Sequence, residues 1–288
     1  MAGWTIGIIG GSGLYDVGGV EDGHWVRTDS PWGAPSDECF VGRVGHARVV
    51  FLPRHGRGHR ISPSELNVRA NIDVLKRLGV TDVLAISSVG SLAEERAPGS
   101  FTIVDQFIDR TKGRPSSFFG SGMVAHVSMA DPVCPRLSAL AAEASRAAGA
   151  ETHVGGTYLA MEGPQFSTRA ESHLYRSWGC QVIGMTAMPE AKLAREAELP
   201  YALVGMVTDY DCWREGEEAV DVAQVIAQLS ANAAKARALV MHLLRSLPEE
   251  RAASPIDTCL DTALITASQA RDPALLAKLD AVAGRVLG

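Results

Sequence analysis

The sequence predicts one α/β domain with a central mixed β-sheet flanked by helices. Short apolar segments of strand type alternate with amphipathic helical segments from residue 62 to residue 207, without a break in composition. Glycine-rich or hydroxyl-rich turns follow the strands, and no repeat, low-complexity tract or linker divides the 288 residues. Such alternation is typical of helices packed on a sheet, so we expect residues 1–288 to form a single domain.

Apolar periodicity and capping residues place the individual elements in order along the chain. Strands are predicted at Thr5–Ile9, within Cys39–Pro53, and at Val80–Ser87, Thr157–Met161, Gln181–Met185 and Tyr201–Val207. Two capping-box patterns, Ser62–Glu65 and Thr168–Glu171, open helices that end at Leu78 and before Gly179. Further helices are predicted at Pro135–Ala148, Pro189–Glu198 and about Val222–Ser246, followed by a short C-terminal helical segment at about residues 250–288.

The composition is that of a soluble globular protein, with 46% hydrophobic and 21% charged residues. A formal net charge of −6 disfavours nucleic acid as a partner. The sequence has no uncharged apolar run of 18 residues and no signal-peptide pattern at its start, so we expect no membrane span and a cytoplasmic location. Five dispersed cysteines without a C-x-x-C pair predict reduced thiols.

A glycine-rich turn, Gly10-Gly11-Ser12-Gly13, follows the first strand. Its backbone amides and the Ser12 hydroxyl could approach an anion. The pattern matches neither G-x-G-x-x-G nor a P-loop, so a simple tight turn is an equally good interpretation.

A basic segment, Arg54-His55-Gly56-Arg57-Gly58-His59-Arg60, follows the second β region and contains no acid. Arginine binds oxyanions through two N–H groups, and histidine adds a switchable donor. A solvated basic loop is the alternative, but the position after a strand favours anion binding. Ser87-Ser88-Val89-Gly90-Ser91 and Met185-Thr186 end two further strands. Together these turns predict a site for phosphate and a polyol, because phosphate needs several donors and a sugar needs both donors and acceptors.

Two carboxylates, Asp209 and Asp211, follow the apolar segment Tyr201–Val207. Ligands of open α/β sheets bind at the carboxyl ends of strands, and alternate residues of an extended chain face the same side. We therefore expect both acids to face one pocket and to meet a nitrogen-rich ring, to which an acid of raised pKa could donate a proton. A helix N-cap or a loop pair is the alternative.

Other catalytic patterns are absent from the sequence. His126, His153 and His173 have no partner at metal-ligand spacing, so we expect no metal. No G-x-S-x-G motif is present, and Ser12 has no obvious base partner, which argues against covalent serine catalysis.

Taken together, the chain resembles the 5′-methylthioadenosine phosphorylases, in the trimeric branch of the purine nucleoside phosphorylase superfamily. The resemblance spans about residues 5–245. It rests on five segments in this order: Ile8–Leu14, Arg54–Arg57, Asp105–Thr111, Glu162–Ser167 and Thr208–Trp213.

The resemblance implies a nucleoside phosphorylase-like fold, and it implies the reversible phosphorolysis of 5′-methylthioadenosine to adenine and 5-methylthioribose 1-phosphate in purine and methionine salvage. Phosphate would be a co-substrate, with no organic cofactor. The implied phosphate site is Ser12, Arg54, His55, Ser87, Ser88 and Thr186. The implied nucleoside site is Met185 at the ribose, Phe166 beside the purine, Asp209 and Asp211 at N7 and the 6-amino group, and Ser167 and Val222 near the base and 5′ ends.

The resemblance also implies a homotrimer, because His126 would come from a neighbouring subunit and cover the methylthio group; pairing of trimers remains open. The segment at about residues 250–288 would help to close the 5′ end. Methylthioinosine phosphorylase, broad purine nucleoside phosphorylase and hydrolase activities remain enzyme alternatives. A non-catalytic nucleoside sensor is the alternative from another class.

Overall fold

The strands of the computed structural model form one mixed sheet. The structure describes residues 3–11, 18–214 and 222–287, the last range with side chains from Ile226 onward. Within these residues the strands are β1 Thr5–Gly10, β2 Glu21–Val26, β3 Cys39–Val44, β4 Ala47–Pro53, β5 Asp82–Ser91, β6 Phe101–Val104, β7 Gln106–Asp109, β8 Thr152–Val154, β9 Thr157–Ala160, β10 Val182–Gly184 and β11 Tyr201–Asp209. The helices are α1 Val68–Arg77, α2 Pro135–Ala147, α3 Arg169–Ser177, α4 Ala187–Glu196, α5 Val222–Ser246, α6 Pro273–Lys278 and α7 Asp280–Leu287.

The pairing of the strands confirms the predicted mixed sheet. Strands β4, β1, β5 and β11 lie side by side and run parallel, whereas β2, β3 and β4 pair antiparallel. The short β10 runs antiparallel beside the last residues of β5 and parallel to β9. The carboxyl ends of the four parallel strands therefore meet at one edge of the sheet.

Both faces of this sheet are buried, which explains the nearly continuous apolar strand sequences. In β11, Leu203 and Val207 pack on the side that carries α1, α4 and α7, and Val204 and Met206 pack on the side of α2 and α5. None of the described helices is long and apolar enough to cross a membrane.

One predicted helix is divided in the structure. The expected helix from Ser62 to Leu78 is instead a 3₁₀ turn at Pro63–Glu65, followed by α1, which Asn67 caps by accepting a hydrogen bond from the Ala70 amide. The Ser62 hydroxyl donates to the Glu65 carboxylate at 2.6 Å and accepts from no backbone amide, so the sequence pattern does not act as a capping box. The second pattern, at Thr168, does form a capping box.

Candidate active site

Polar residues from several strand ends line one cavity of about 860 Å³ at the carboxyl edge of the parallel strands. The strand β10 contributes although it is antiparallel, because its pairing with Ser91 and Gly90 brings Met185 and Thr186 beside the end of β5. The sequence-predicted residues that line this cavity are Arg54, His55, Phe166, Ser87, Ser88, Met185, Thr186, Asp209 and Asp211.

At one end of the cavity lies a buried arginine. Arg54 donates from Nε and Nη2 to the two carboxylate oxygens of Glu190 at 3.0 and 3.1 Å, and from Nη1 to the Ile86 carbonyl at 2.9 Å. Its side chain is 2% exposed. The segment Arg54–Arg60 itself contains no acid, and the acid that neutralises Arg54 comes from α4.

The rest of the basic segment does not act as a unit. Arg57 forms ion pairs with Asp37 and Glu38 on the protein surface, away from the cavity. His55 lines the cavity, and its Nδ1 lies 2.9 Å from the Ile61 carbonyl, an arrangement in which Nδ1 donates. Burial and the neighbouring Arg54 charge lower the pKa of His55 to about 4, so the ring is neutral at pH 7 and does not act as the expected switchable donor there.

Two hydroxyl groups lie beside the arginine end of the cavity. Ser87 Oγ and Thr186 Oγ1 are 3.2 Å apart and both residues are buried. Thr186 directly precedes α4, and its own amide nitrogen lies 3.4 Å from the Tyr158 hydroxyl. This end of the cavity thus combines hydroxyl donors with a guanidinium, which suits an oxyanion.

The two predicted acids lie at the carboxyl end of β11. Asp209 lies beside Gly90 of β5, whereas Arg54 bonds the Ile86 carbonyl, four residues earlier on the same strand, so the acids and the arginine lie toward opposite ends of the cavity. Asp209 accepts hydrogen bonds from the Thr208 hydroxyl at 2.7 Å and from the Asp211 amide at 2.8 Å. Asp211 reaches the same cavity from a turn in which its φ is +53°, rather than by extending the strand. The predicted shared pocket is confirmed, although a turn and not strand alternation produces it.

The surroundings of both acids raise their pKa above the usual range of an aspartate. Burial raises the pKa of Asp209, and burial together with the nearby Asp209 charge raises the pKa of Asp211. Asp211 Oδ2 is buried and accepts no hydrogen bond from the described residues. A buried polar atom of this kind is costly unless a ligand satisfies it, so Asp211 is suited to accept a hydrogen bond from a bound group.

The remaining predicted residues lie elsewhere. Phe166 lines the mouth of the cavity and is 45% exposed, whereas Ser167 is not among the lining residues and donates to Met161 Sδ at 3.7 Å. His126 does not line the cavity of its own chain, and its amide donates to the Ala263 carbonyl at 2.9 Å. Ser12 and the side chain of Val222 lie outside the described residues.

The structure also adds residues that sequence reasoning missed. Glu190 pairs with Arg54, and Arg114 donates to the Met185 carbonyl at 2.7 Å behind the cavity wall. Helix α5 places Arg237 at the cavity, although it lies off the apolar stripe of that helix. A lone acid within the apolar segment Ala187–Ala191 was the available signal for Glu190, because a buried charge requires a partner. Within the described ranges, no three histidine, cysteine or acidic side chains are arranged to hold a metal ion.

Comparison with known proteins identifies the class to which this fold and site belong. The family model of the phosphorylase superfamily matches residues 5–245. The chain therefore belongs to the phosphorylase superfamily.

Individual relatives are similar over nearly the whole chain. An S-methyl-5′-thioadenosine phosphorylase of Cereibacter sphaeroides is 62% identical over 284 residues, covering 98% of both chains. The protein of the same name from Bradyrhizobium diazoefficiens is 59% identical over 285 residues, again covering 98% of both. The crystal structure of a methylthioadenosine phosphorylase from an Antarctic soil metagenomic library superposes with a TM-score of 0.92 at 45% identity, covering 96% of this chain and 98% of that chain.

Proposed function

We propose that this protein is a pentosyltransferase that catalyses the reversible phosphorolysis of 5′-methylthioadenosine, giving adenine and 5-methylthioribose 1-phosphate. The observation that supports this most directly is one cavity whose lining combines the acids Asp209 and Asp211 with Arg54, Ser87 and Thr186. The acids lie beside Gly90 of β5, and Arg54 bonds Ile86, four residues earlier on that strand. The relatives at 59–62% identity carry the corresponding name.

The acid end suits adenine. Protonated Asp209 would donate to N7 of the purine, and the buried Oδ2 of Asp211 would accept a hydrogen bond from the 6-amino group. Phe166 would pack beside the ring, and Ser167 would orient the loop around Asp211 through the bond from Cys212 Sγ to the Ser167 carbonyl, 3.2 Å. Val222, whose side chain lies outside the described residues, would contribute near the 5′ end.

In the reaction, the C1′–N9 bond breaks and its electron pair passes to the purine, while Asp209 supplies a proton at N7. Phosphate held by Arg54, Ser87, Ser88, Thr186 and Ser12 then forms the new bond to C1′. The neutral His55 ring, whose Nδ1 already donates to Ile61, would accept a hydrogen bond from a protonated phosphate oxygen at Nε2. General acid catalysis by a positioned carboxyl contributes about 10²- to 10⁴-fold, and the positioning of phosphate and nucleoside adds to it. Met185 would lie against the ribose. These groups need no metal or organic cofactor.

The proposal extends to the pathway, the cellular location and the oligomeric state of the enzyme. Release of adenine and retention of the methylthio sulfur on the sugar phosphate fit purine and methionine salvage. All five cysteines are free thiols, which fits the reducing cytoplasm. His126 does not line the cavity of its own chain, so it could contact a methylthio group only in the site of a neighbouring subunit. A homotrimer would place it there.

Release of the base from a nucleoside panel, with and without phosphate, tests the function. We expect adenine release from 5′-methylthioadenosine to require phosphate or arsenate and to exceed hypoxanthine release from methylthioinosine. Phosphate-independent release would indicate a hydrolase, and binding without turnover would indicate a sensor.

A further inference from the structure

The orientation of the Arg54 guanidinium depends on a buried acid that is not one of the residues proposed to contact phosphate. Glu190 binds the guanidinium through both of its carboxylate oxygens, and the side chains of Arg54 and Glu190 are 2% and 3% exposed. We propose that Glu190 is a positioning residue that holds Arg54 in the orientation in which it receives phosphate. This inference rests on the proposed function.

The hydrogen bonds of Arg54 leave little freedom for the guanidinium. Nε and one Nη2 hydrogen go to Glu190, Nη1 donates to the Ile86 carbonyl, and Nη2 also lies 3.4 Å from the Ile9 carbonyl. Arginine has five N–H donors, so these contacts leave one Nη1 hydrogen for a ligand in the cavity that Arg54 lines. Most N–H groups of the Arg54 guanidinium thus bond the protein, and phosphate would receive one hydrogen bond in a fixed direction.

Glu190 is itself held in place. The Tyr201 hydroxyl donates to its Oε1 at 2.9 Å, so tyrosine, glutamate and arginine form a chain of buried hydrogen bonds. Glu190 also follows Thr186 by only four residues, directly after a kink in α4 at which Met188 and Pro189 are not helical. The same short element therefore places the Thr186 hydroxyl and the acid that orients Arg54, which fixes two phosphate donors relative to each other.

The variant Glu190→Gln tests this role, because it keeps the shape of the side chain and removes one acceptor and the charge. Without the Glu190 carboxylate, the Arg54 guanidinium stays buried and loses the partner that orients it. We therefore expect the KM for phosphate to rise by at least about tenfold. The KM for 5′-methylthioadenosine should change by less than about threefold, since Glu190 does not line the cavity and bonds Arg54 and Tyr201. A partial loss of folded protein would not raise the KM for phosphate while leaving the KM for 5′-methylthioadenosine unchanged.

Two further variants complete the experiment. Glu196→Gln is the matched control: it makes the same change in a buried acid of the same helix that bonds Ser117 and Phe118 instead of Arg54, and the phosphate KM should stay unchanged. Tyr201→Phe removes only the hydroxyl that holds Glu190, and we expect a rise of about threefold in the phosphate KM. Tyr201→Phe serves as the test if Glu190→Gln does not fold.

An unchanged phosphate KM in the folded variants would overturn the proposal. A lower phosphate KM in Glu190→Gln would also overturn it, because Glu190 would then only weaken the charge of Arg54. Calorimetric titration of wild type and variants with inorganic phosphate alone gives the same comparison without catalysis. A wild type that binds phosphate but cleaves no nucleoside would refute the proposed function while leaving the effect of Glu190 on phosphate affinity measurable.

Discussion

Asp209 and Asp211 show how two identical side chains, two residues apart, come to have different surroundings. Asp209 has both carboxylate oxygens occupied, by the Thr208 hydroxyl and the Asp211 amide. Asp211 Oδ2 is buried and accepts no hydrogen bond from the described part of the chain. The first acid is therefore held in one orientation, and the second has an acceptor left for a ligand.

The variant Asp209→Asn tests the role of the first acid. Asparagine has no proton to transfer to N7, and its amide favours a 6-oxo group, so kcat/KM for 6-amino nucleosides should fall by at least about tenfold. The use of 6-oxo nucleosides relative to 6-amino nucleosides should rise. Steady-state kinetics with methylthioadenosine and methylthioinosine measure both effects. An equal loss for the two substrates would contradict the assignment.

Among the elements, α4 connects the candidate site with the segment that carries His126. At its beginning Glu190 binds Arg54. At its end Arg195 donates to the Ser128 carbonyl at 2.7 Å, and Glu196 accepts from the Phe118 amide at 2.7 Å. The helix therefore fixes the position of residues 117–128 relative to the phosphate end of the cavity.

Glu196 also gives α4 a pH-dependent contribution to stability. Burial raises the pKa of its carboxyl from 4.5 to about 7, although the bonds from Phe118 and Ser117 oppose that rise. Between these two values the folded protein binds a proton that the unfolded chain releases, so this residue makes the free energy of unfolding fall as pH rises through that window.

In Glu196→Gln that contribution is absent. We expect the Tm of Glu196→Gln, relative to wild type, to increase between about pH 4.5 and pH 7. Thermal unfolding at a series of pH values measures the difference, and the exposed Glu143→Gln on α2 is the control that should show no such trend. A pH-independent difference between Glu196→Gln and wild type would show that the carboxyl does not titrate in this window.

At the scale of the whole molecule, the C-terminal segment and the His126 segment form one unit. The His126 amide donates to the Ala263 carbonyl at 2.9 Å, and the Ile265 amide donates to the Val124 carbonyl, also at 2.9 Å. Among the described residues 247–287, none lines the cavity of the same chain. The predicted cover of the 5′ end by residues 250–288 stays a prediction, and these bonds imply that the tail and His126 would serve the same site.

Subunit mixing tests whether that site belongs to a neighbour. In the proposed trimer, His126→Ala and Asp209→Asn should each have low activity alone, the first through a raised KM for methylthioadenosine. Co-assembled chains should recover activity, because about a quarter of the sites in random mixtures combine an intact Asp209 with an intact His126 from the next subunit.

If His126 acts within its own chain, every site of the mixture lacks one of the two residues, and activity should not recover. Sedimentation of the mixed sample confirms that the two chains have assembled together.

The sequence by itself determined the α/β class, the strands that end at the site and most of the polar residues that follow them. Local patterns are sufficient for this, because a buried strand needs a continuous apolar segment and Asp209 lies directly at its end. The short strands β6, β7 and β8 were missed, since three or four residues carry too little periodicity. The strand β2 was missed because its six residues are mostly polar and exposed.

Only the tertiary structure decided how these residues are paired. Arg54 and Glu190 are 136 positions apart, and the order of the strands, rather than any local pattern, brings them together. The position of His126 outside its own cavity likewise depends on long-range packing. Local sequence specifies which groups are available, whereas neutralisation and burial depend on neighbours that the chain meets only when folded.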